Sequence, residues 1–331
     1  MKIAVDAMGG DYAPAEIVKG AYNATQTYPD LHIILVGQKD KILENLPGND
    51  LRANLEIYEA AEVIDMDKHP AAAIKKKKDA SIVVATRLVK EGYADALVSA
   101  GSTGAQMAAA LLVLGRIKGI DRPAIATVVP TLKGGILLLD IGANPDAKPE
   151  NLLQYGMMGS IYAEQILGLE NPRVALLNIG SEESKGNKLV LTAYSLFKEA
   201  PFNFIGNIEG RDIPYGAADV VVCDAFVGNV VLKTIEGMAS SLLELIKDEI
   251  TSNTTRKIGA MLIKPGLKEI VRKMDYSEYG GAPLLGIDGI SIICHGSSKA
   301  KAITNAIRVA KECVEVELSQ KISSSLQINQ S

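Results

Sequence analysis

An α/β chain with a doubly wound, mostly parallel sheet and a projecting two-helix arm at about residues 229–275 is the fold this sequence predicts. Short β-branched runs alternate with longer helical patterns from the first residue onward. Many of those runs are apolar throughout, as strands covered by helices on both faces must be. One stretch, 229–274, breaks the rhythm with two helical patterns in tandem.

Taken in order, Lys2-Ile3-Ala4-Val5-Asp6 reads as a strand, followed by a glycine loop and a helix from near Pro14. Residues 31–37 (LHIILVG) and 55–59 give the next two strands. Residues 81–91 are helical, and 96–100 (ALVSA) form a strand that feeds a helix over 103–114. Two apolar runs, 124–130 and 136–141, flank the turn Leu132-Lys133-Gly134-Gly135, which is a hairpin signature. A helix over 149–167 precedes strands at 173–179, 203–208 and 218–223.

Val230, Val231, Ile235, Met238, Leu242, Leu245 and Ile246 then carry a helical stripe through to Ile250. After polar residues 251–255 comes the apolar run 258–263, and Pro265 is read as the first residue of a second helix. Strands at 282–287 and 290–294 and a helix over 298–318 complete one α/β domain, with 319–331 as a flexible polar tail.

Composition narrows the function. The 331 residues are 47% hydrophobic and 22% charged, ample for a packed core. Lys plus Arg number 35 against 39 for Asp plus Glu, so the basic excess of a nucleic-acid binder is missing. Aromatics at 5%, with no Trp, leave little to stack on bases. Three cysteines (Cys223, Cys294, Cys313) make no disulfide framework and suit a reducing, cytoplasmic setting. The opening MKIAVDAMGG reaches Asp6 before any signal-peptide core can form, and no apolar run approaches the roughly 20 residues of a membrane span. Neither a Walker loop nor a dinucleotide fingerprint follows a strand, and no HExxH or CxxC supplies metal ligands. No cofactor and no metal are expected.

Ligands of open α/β sheets bind beyond the carboxyl ends of the strands. The polar residues gather in seven loops after strands, expected to share one edge of the sheet. They are Asp6 with Gly9-Gly10-Asp11; Gly101-Ser102-Thr103-Gly104; Asp140, Gly142 and Asn144; residues 180–187 with Glu182 and Lys185; 209–212; Gly228-Asn229; and His295-Gly296-Ser297-Ser298. The 101–104 loop opens directly into a helix and suits an anion, though Ser and Thr there are also ordinary caps. Lys185 can hold a phosphate oxygen or an oxyanion; its plainer reading is a solvated lysine paired with Glu182 or Glu183. Asn229 can cap its helix or bind a ligand, and His295 can be structural or catalytic. Cys294 and His295 point to opposite faces of a strand, which argues against a thiolate–imidazole pair.

The arm has its own charge. Residues 255–274 hold Arg256, Lys257, Lys264, Lys268, Arg272 and Lys273 against Glu269 alone, about +5 in a chain of −4. Together with Ile258, Met261 and Leu262 they suit an anionic membrane surface or an acidic partner protein, or else a dimer interface with solvated lysines.

The opening MKIAVDAMGGDYAP, SAGSTGA, LLDIGAN, NIGSEESKGN, FIGNIEGRD, CDAFVGNVVLKT, GAPLLGIDG and HGSS together resemble the bacterial phosphate acyltransferases of phospholipid synthesis, the PlsX family. The resemblance runs from the first residue to about Lys311. It implies transfer of a fatty acyl group from acyl-acyl carrier protein to orthophosphate, giving acyl phosphate for a downstream membrane acyltransferase. It also implies a fold like that of phosphotransacetylases and isocitrate dehydrogenase-like enzymes, a homodimer, and peripheral attachment to the inner face of the cell membrane. A phosphotransacetylase using acyl-CoA is the alternative.

On this resemblance Ser102, Thr103 and Gly104, with Gly101, cradle phosphate. Lys185 stabilises phosphate or oxyanion, and Asn229 is a second donor. Asp6, Gly9, Gly10, Asp11, Asp140, Asn144, Glu182 and His295 shape the site. Arg256, Lys257, Ile258, Met261, Leu262 and Lys264 meet membrane or carrier protein. Orthophosphate is itself a nucleophile, so the chemistry needs an anion site and oxyanion donors rather than a catalytic triad.

Overall fold

The computed structural model describes residues 1–64, 70–274 and 278–328. Its strands are β1 (Lys2–Asp6), β2 (His32–Gly37), β3 (Leu55–Glu59), β4 (Ala96–Ser99), β5 (Ala124–Thr131), β6 (Gly134–Leu139), β7 (Val174–Asn178), β8 (Phe204–Glu209), β9 (Val220–Val222), β10 (Ala282–Leu285) and β11 (Ile290–Ile293). All lie where the apolar runs predict. They form a single sheet in the order β3-β2-β1-β4-β11-β10-β5-β6-β9-β7-β8.

Alternation along the strands builds two cores. Ile3, Val5, Ile33, Leu35, Leu137, Leu139, Val220 and Val222 face one layer, which holds α1 (Ala15–Thr27), α6 (Pro149–Gln165), α7 (Lys188–Lys198) and α10 (Ala300–Glu315). Ala4, Ile34, Val36 and Leu97 face the other way, onto α4 (Ser81–Lys90) and α5 (Thr103–Ala109). Leu138, Ala175 and Val221 do the same toward the base of α8 (Ala225–Ile250). Both faces of the sheet are thus apolar, which is why its strands read as unbroken runs.

Four features depart from the sequence reading. Short helices α2 (Lys39–Glu44) and α3 (Pro70–Lys76) and the amphipathic α7 occupy segments to which the sequence pattern assigns no element. The second arm helix, α9 (Thr254–Met274), runs through Pro265 instead of starting there. Pro265 is exposed, so water can take the Met261 carbonyl that its missing N–H leaves unpaired. The expected flexible tail is α11 (Leu318–Ile328) as far as residue 328. Leu318, Ile322 and Leu326, one turn apart, are buried in the main core and hold it down. Residues 329–331 of that tail, like residues 275–277, lie outside the described residues.

The fourth departure bears on the site. β10 is antiparallel to β11 and to β5, and β6 is antiparallel to β5. β6, β9, β7 and β8 therefore run opposite to β1, β4 and β11, and the seven loops do not share one edge. Strand twist of roughly 20–25° per step turns the second half of the sheet about a quarter turn across the first between β4 and β6. Loops from both directions can then face one cleft.

Candidate active site

That cleft has a volume of about 600 Å³. Its first wall is the loop after β4, where Gly101, Ser102, Thr103 and Gly104 all line it. Ser102 caps α5, its Oγ accepting from the Ala105 N–H at 3.4 Å. The first-turn N–H groups of Thr103 and Gly104 have no place in the helical ladder. The loop after β11 adds His295 and Gly296, and the β1 loop adds Asp11, whose N–H donates to the Gly296 carbonyl at 2.8 Å.

Asp6, Gly9 and Gly10 are not part of this wall; they support it. The buried Asp6 carboxylate accepts from Ser99 Oγ at 2.7 Å and from the Met8 N–H at 3.2 Å, and Ser99 Oγ accepts from the Gly101 N–H at 3.0 Å. One carboxyl thus ties the β1 loop to the β4 loop. A Cβ at Gly9 would stand 2.6 Å from Asp6 Oδ2 and 2.7 Å from the Gly101 nitrogen, so only glycine lets the loops meet.

Burial pushes the Asp6 carboxyl above its usual 3.8, against the hydrogen bonds from Ser99 and Met8 that pull it down. A raised folded value means stability that is full below 3.8 and is lost as pH rises through the folded value. Asp6→Asn is expected to flatten that fall. Urea midpoints of both proteins from about pH 4 to about pH 7 check this; parallel curves would rule it out.

The second wall comes from the opposite half of the sheet. Asp140 is fully buried and gathers its own loop: Oδ1 accepts from the N–H groups of Ile125, Gly142 and Ala143, and Oδ2 from the Asn144 N–H and side-chain amide, all at 2.8–3.2 Å. The Asn144 amide also donates to the Tyr155 hydroxyl at 2.9 Å. Asp140 and Asn144 therefore shape the loop, while Ile141 and Gly142 line the cleft.

Helix α8 stands on this loop. Asp224 caps it, accepting from the Phe226 and Val227 N–H groups at 3.0 Å each. A Cβ at Gly228 would lie 2.0 Å from the Asp140 carbonyl oxygen, so glycine is required for the helix to seat. Asn229 then lines the cleft, with Nδ2 donating to the Ile141 carbonyl at 3.0 Å; its second amide hydrogen and its Oδ1 remain for a ligand.

One turn further along α8 the cleft receives Lys233, and after it Glu236, neither singled out from the sequence. Lys233 Nζ is 2.8 Å from Glu236 Oε2 and 3.3 Å from His295 Nε2. Ser297 serves either tautomer at Nδ1, through its hydroxyl at 2.7 Å or its backbone N–H at 3.2 Å. Lys233 can only donate, which selects a bare Nε2 and a proton on Nδ1. The signal for both missed residues was their spacing: four and seven positions after Asn229, on one helical face.

Lys185 and Glu182 do not line the cleft. They lie on the exposed loop after β7, where the Lys185 N–H donates to the Glu182 carbonyl at 3.1 Å and the Asn178 amide donates to the Lys185 carbonyl at 3.0 Å. β7, β9 and β6 are parallel neighbours, so this loop stands two strand spacings, roughly 10 Å, from the 140–142 loop. It rises at the rim of the second wall. Of the two cysteines near the cleft, Cys294 is pushed up to about 12 by burial and Cys223 well above its usual range for the same reason. Neither is a ready thiolate.

The arm residues stand apart from the cleft, at the start of α9. Ile258, Met261, Leu262 and Ile263 are 54–80% exposed, with exposed Lys257 and Lys264 on either side and Arg256 paired with Glu249. Among the described residues, no helix is long and apolar enough to cross a membrane. Nor are any three or more His, Cys, Asp or Glu side chains grouped to hold a metal ion.

Solved structures share this fold at low identity. A phosphotransacetylase from Streptococcus pyogenes superposes with a TM-score of 0.62 at 18% identity, covering 95% of this chain and 94% of that one. The EutD phosphotransacetylase from Staphylococcus aureus gives 0.59 at 17%, covering 96% and 94%. Sequence relatives are far nearer. A protein named phosphate acyltransferase in Desulfitobacterium hafniense (strain DSM 10664 / DCB-2) is 69% identical over 327 residues, 98% of each chain. One of the same name in Heliobacterium modesticaldum is 64% identical over 317 residues, 95% of this chain and 94% of its own. A model of the family described as fatty acid synthesis protein matches residues 1–321. The chain belongs to that family and is an enzyme of its phosphate acyltransferase branch.

Proposed function

We propose that this enzyme transfers a fatty acyl group from the thioester of acyl-acyl carrier protein to orthophosphate. A phosphate oxygen attacks the thioester carbonyl carbon, the carbon–sulfur bond breaks, and acyl phosphate and the carrier thiolate leave. One observation carries this reading: the cleft sets an anion-type helix start opposite Asn229 and Lys233, while both neighbouring thiols are buried, which disfavours the thiolate form. Direct attack by a bound anion needs no enzyme nucleophile. Thr103 and Gly104 N–H groups hold phosphate, and Asn229 and Lys233 stabilise the tetrahedral oxyanion. His295 keeps Lys233 in place, and the leaving thiolate, with a pKa near 8.5, departs with little acid assistance. Lys185 closes over the substrate from the rim.

The decisive assay follows release of free carrier thiol from palmitoyl-acyl carrier protein with and without orthophosphate. Phosphate-dependent release with acyl phosphate as product is expected. Turnover of acyl-CoA alone would favour a phosphotransacetylase, and phosphate-independent release would exclude both.

The arm adds two proposals. Met238, Leu242 and Leu245 on α8, 56–67% exposed, form an apolar face suited to a second copy of the chain in a homodimer. The 258–263 run between lysines suits the headgroup region of an anionic membrane at the cytoplasmic side, where the product is consumed. Replacing Lys257 and Lys264 by Ser, together with Leu262 by Asn, is expected to abolish sedimentation with phosphatidylglycerol vesicles while leaving the dimer intact. Unchanged sedimentation would exclude the tip.

A further inference from the structure

A second cavity adjoins the cleft. It is an apolar groove of about 250 Å³ between β5, α8 and α9, and Thr127, Leu232, Glu236 and Gly280 line both. On its helical side Leu232, Ile235, Ala239 and Leu243 follow one another at three or four residues, so a single face of α8 supplies the row. The exposed Met238, Leu242 and Leu245 occupy a different face of the same helix. Helix α8 thus has one apolar face toward the groove and another toward solvent. Leu243 is the lining residue of α8 farthest along the helix from the cleft, and Val271 of α9 lines the groove as well.

From this continuity we infer that the groove holds the linear acyl chain of the substrate and limits its length; the inference rests on the proposed reaction. Polarity changes where an acyl thioester changes. Lys233 and Glu236, paired at 2.8 Å, mark the border with the cleft, and beyond them the lining is aliphatic apart from Ser240. The thioester carbonyl lies on the Asn229 and Lys233 side of that border and the hydrocarbon on the other. From Leu232 to Leu243 the helix advances roughly 16 Å at about 1.5 Å per residue. An extended hydrocarbon with carbon–carbon bonds of about 1.5 Å covers that distance in about a dozen methylenes.

The test is a chain-length series of acyl-acyl carrier proteins from butyryl to stearoyl, at saturating phosphate, with the full chain. Each added methylene that enters the groove is expected to raise kcat/KM by about fourfold, and the rise should stop near the length the groove accepts. Ala239→Phe puts a ring midway along the groove. It should move the plateau to shorter chains and lower kcat/KM for long ones at least tenfold. Leu243→Ala should move the plateau the other way, which keeps the test open if the bulky variant does not fold.

Binding of free palmitate, tight in the wild type and weakened at least tenfold by Ala239→Phe, reads the groove without the reaction. A flat series, an equal loss at every chain length, or palmitate binding indifferent to Ala239→Phe would overturn the assignment. Palmitate binding that responds to Ala239→Phe without any phosphate-dependent turnover would leave the groove standing and remove the proposed reaction.

Discussion

Asp140→Ala is expected to yield a protein that has lost most of its stability and has no organised cleft. The carboxylate is fully buried and accepts four backbone N–H groups, from Ile125, Gly142, Ala143 and Asn144, besides the Asn144 amide. Alanine leaves those donors without an acceptor. A buried donor left unsatisfied costs about 1–3 kcal/mol, so four of them cost on the order of 5 kcal/mol or more. A whole domain is stable by only about 5–15 kcal/mol. The loop held by these bonds is also the seat of α8, because the Asp140 carbonyl packs on Gly228 and the Ile141 carbonyl receives Asn229. Stability and site geometry should therefore fail together. Asp140→Asn keeps the shape but sets an NH₂ against N–H donors, so it should fall between wild type and alanine. Urea midpoints with phosphate-dependent turnover on the same samples check both. A stability loss below about 1 kcal/mol for Asp140→Ala would mean that the loop is held by something else.

The same residue shows what a sequence can and cannot disclose here. The strands were legible because both faces of the sheet are covered, so the buried stretches 33–36 (IILV) and 174–177 (VALL) carry no polar interruption. Asp140 and Asn144 stood out as polar residues closing such a run, but their position beneath the cleft surface was not written in the pattern. Topology was hidden for a different reason. β10 and β11 come last among the strands in the chain yet sit in the middle of the sheet, where β10 runs against both neighbours, and it is the antiparallel β5–β6 pair that reverses the direction of everything beyond β5. Apolar runs report burial, not neighbours, so seven loops were assigned one edge where there are two. Lys233 and Glu236 were not legible because charged residues inside a helical run ordinarily mark its solvated face, although here the cleft continues for two turns along α8. The last helix escaped because its polar residues outnumber the three, Leu318, Ile322 and Leu326, that anchor it.

Lys233→Met should lower kcat/KM by about 10²–10³, the usual consequence of removing one oxyanion donor, while leaving the fold intact. Methionine keeps most of the aliphatic stem, and Lys233 is half-exposed, so its loss from the ion pair with Glu236 should cost little stability. The variant carries a second signature that a merely structural lysine would not produce. With no ammonium 3.3 Å from Nε2, the His295 ring is free to place its proton there and take the Ser297 N–H at Nδ1 instead. Ring-nitrogen chemical shifts should therefore report a change of tautomer in step with the loss of turnover. Turnover within threefold of wild type at unchanged melting temperature, with the tautomer shifted, would remove Lys233 from the chemistry and leave it a positioning residue for His295. Lys185→Ala, measured alongside, separates the two lysines. A loss at position 233 that exceeds the loss at 185 places the developing oxyanion inside the cleft, against Asn229; the reverse order places it under the rim loop after β7, which must then close on the substrate during each turnover.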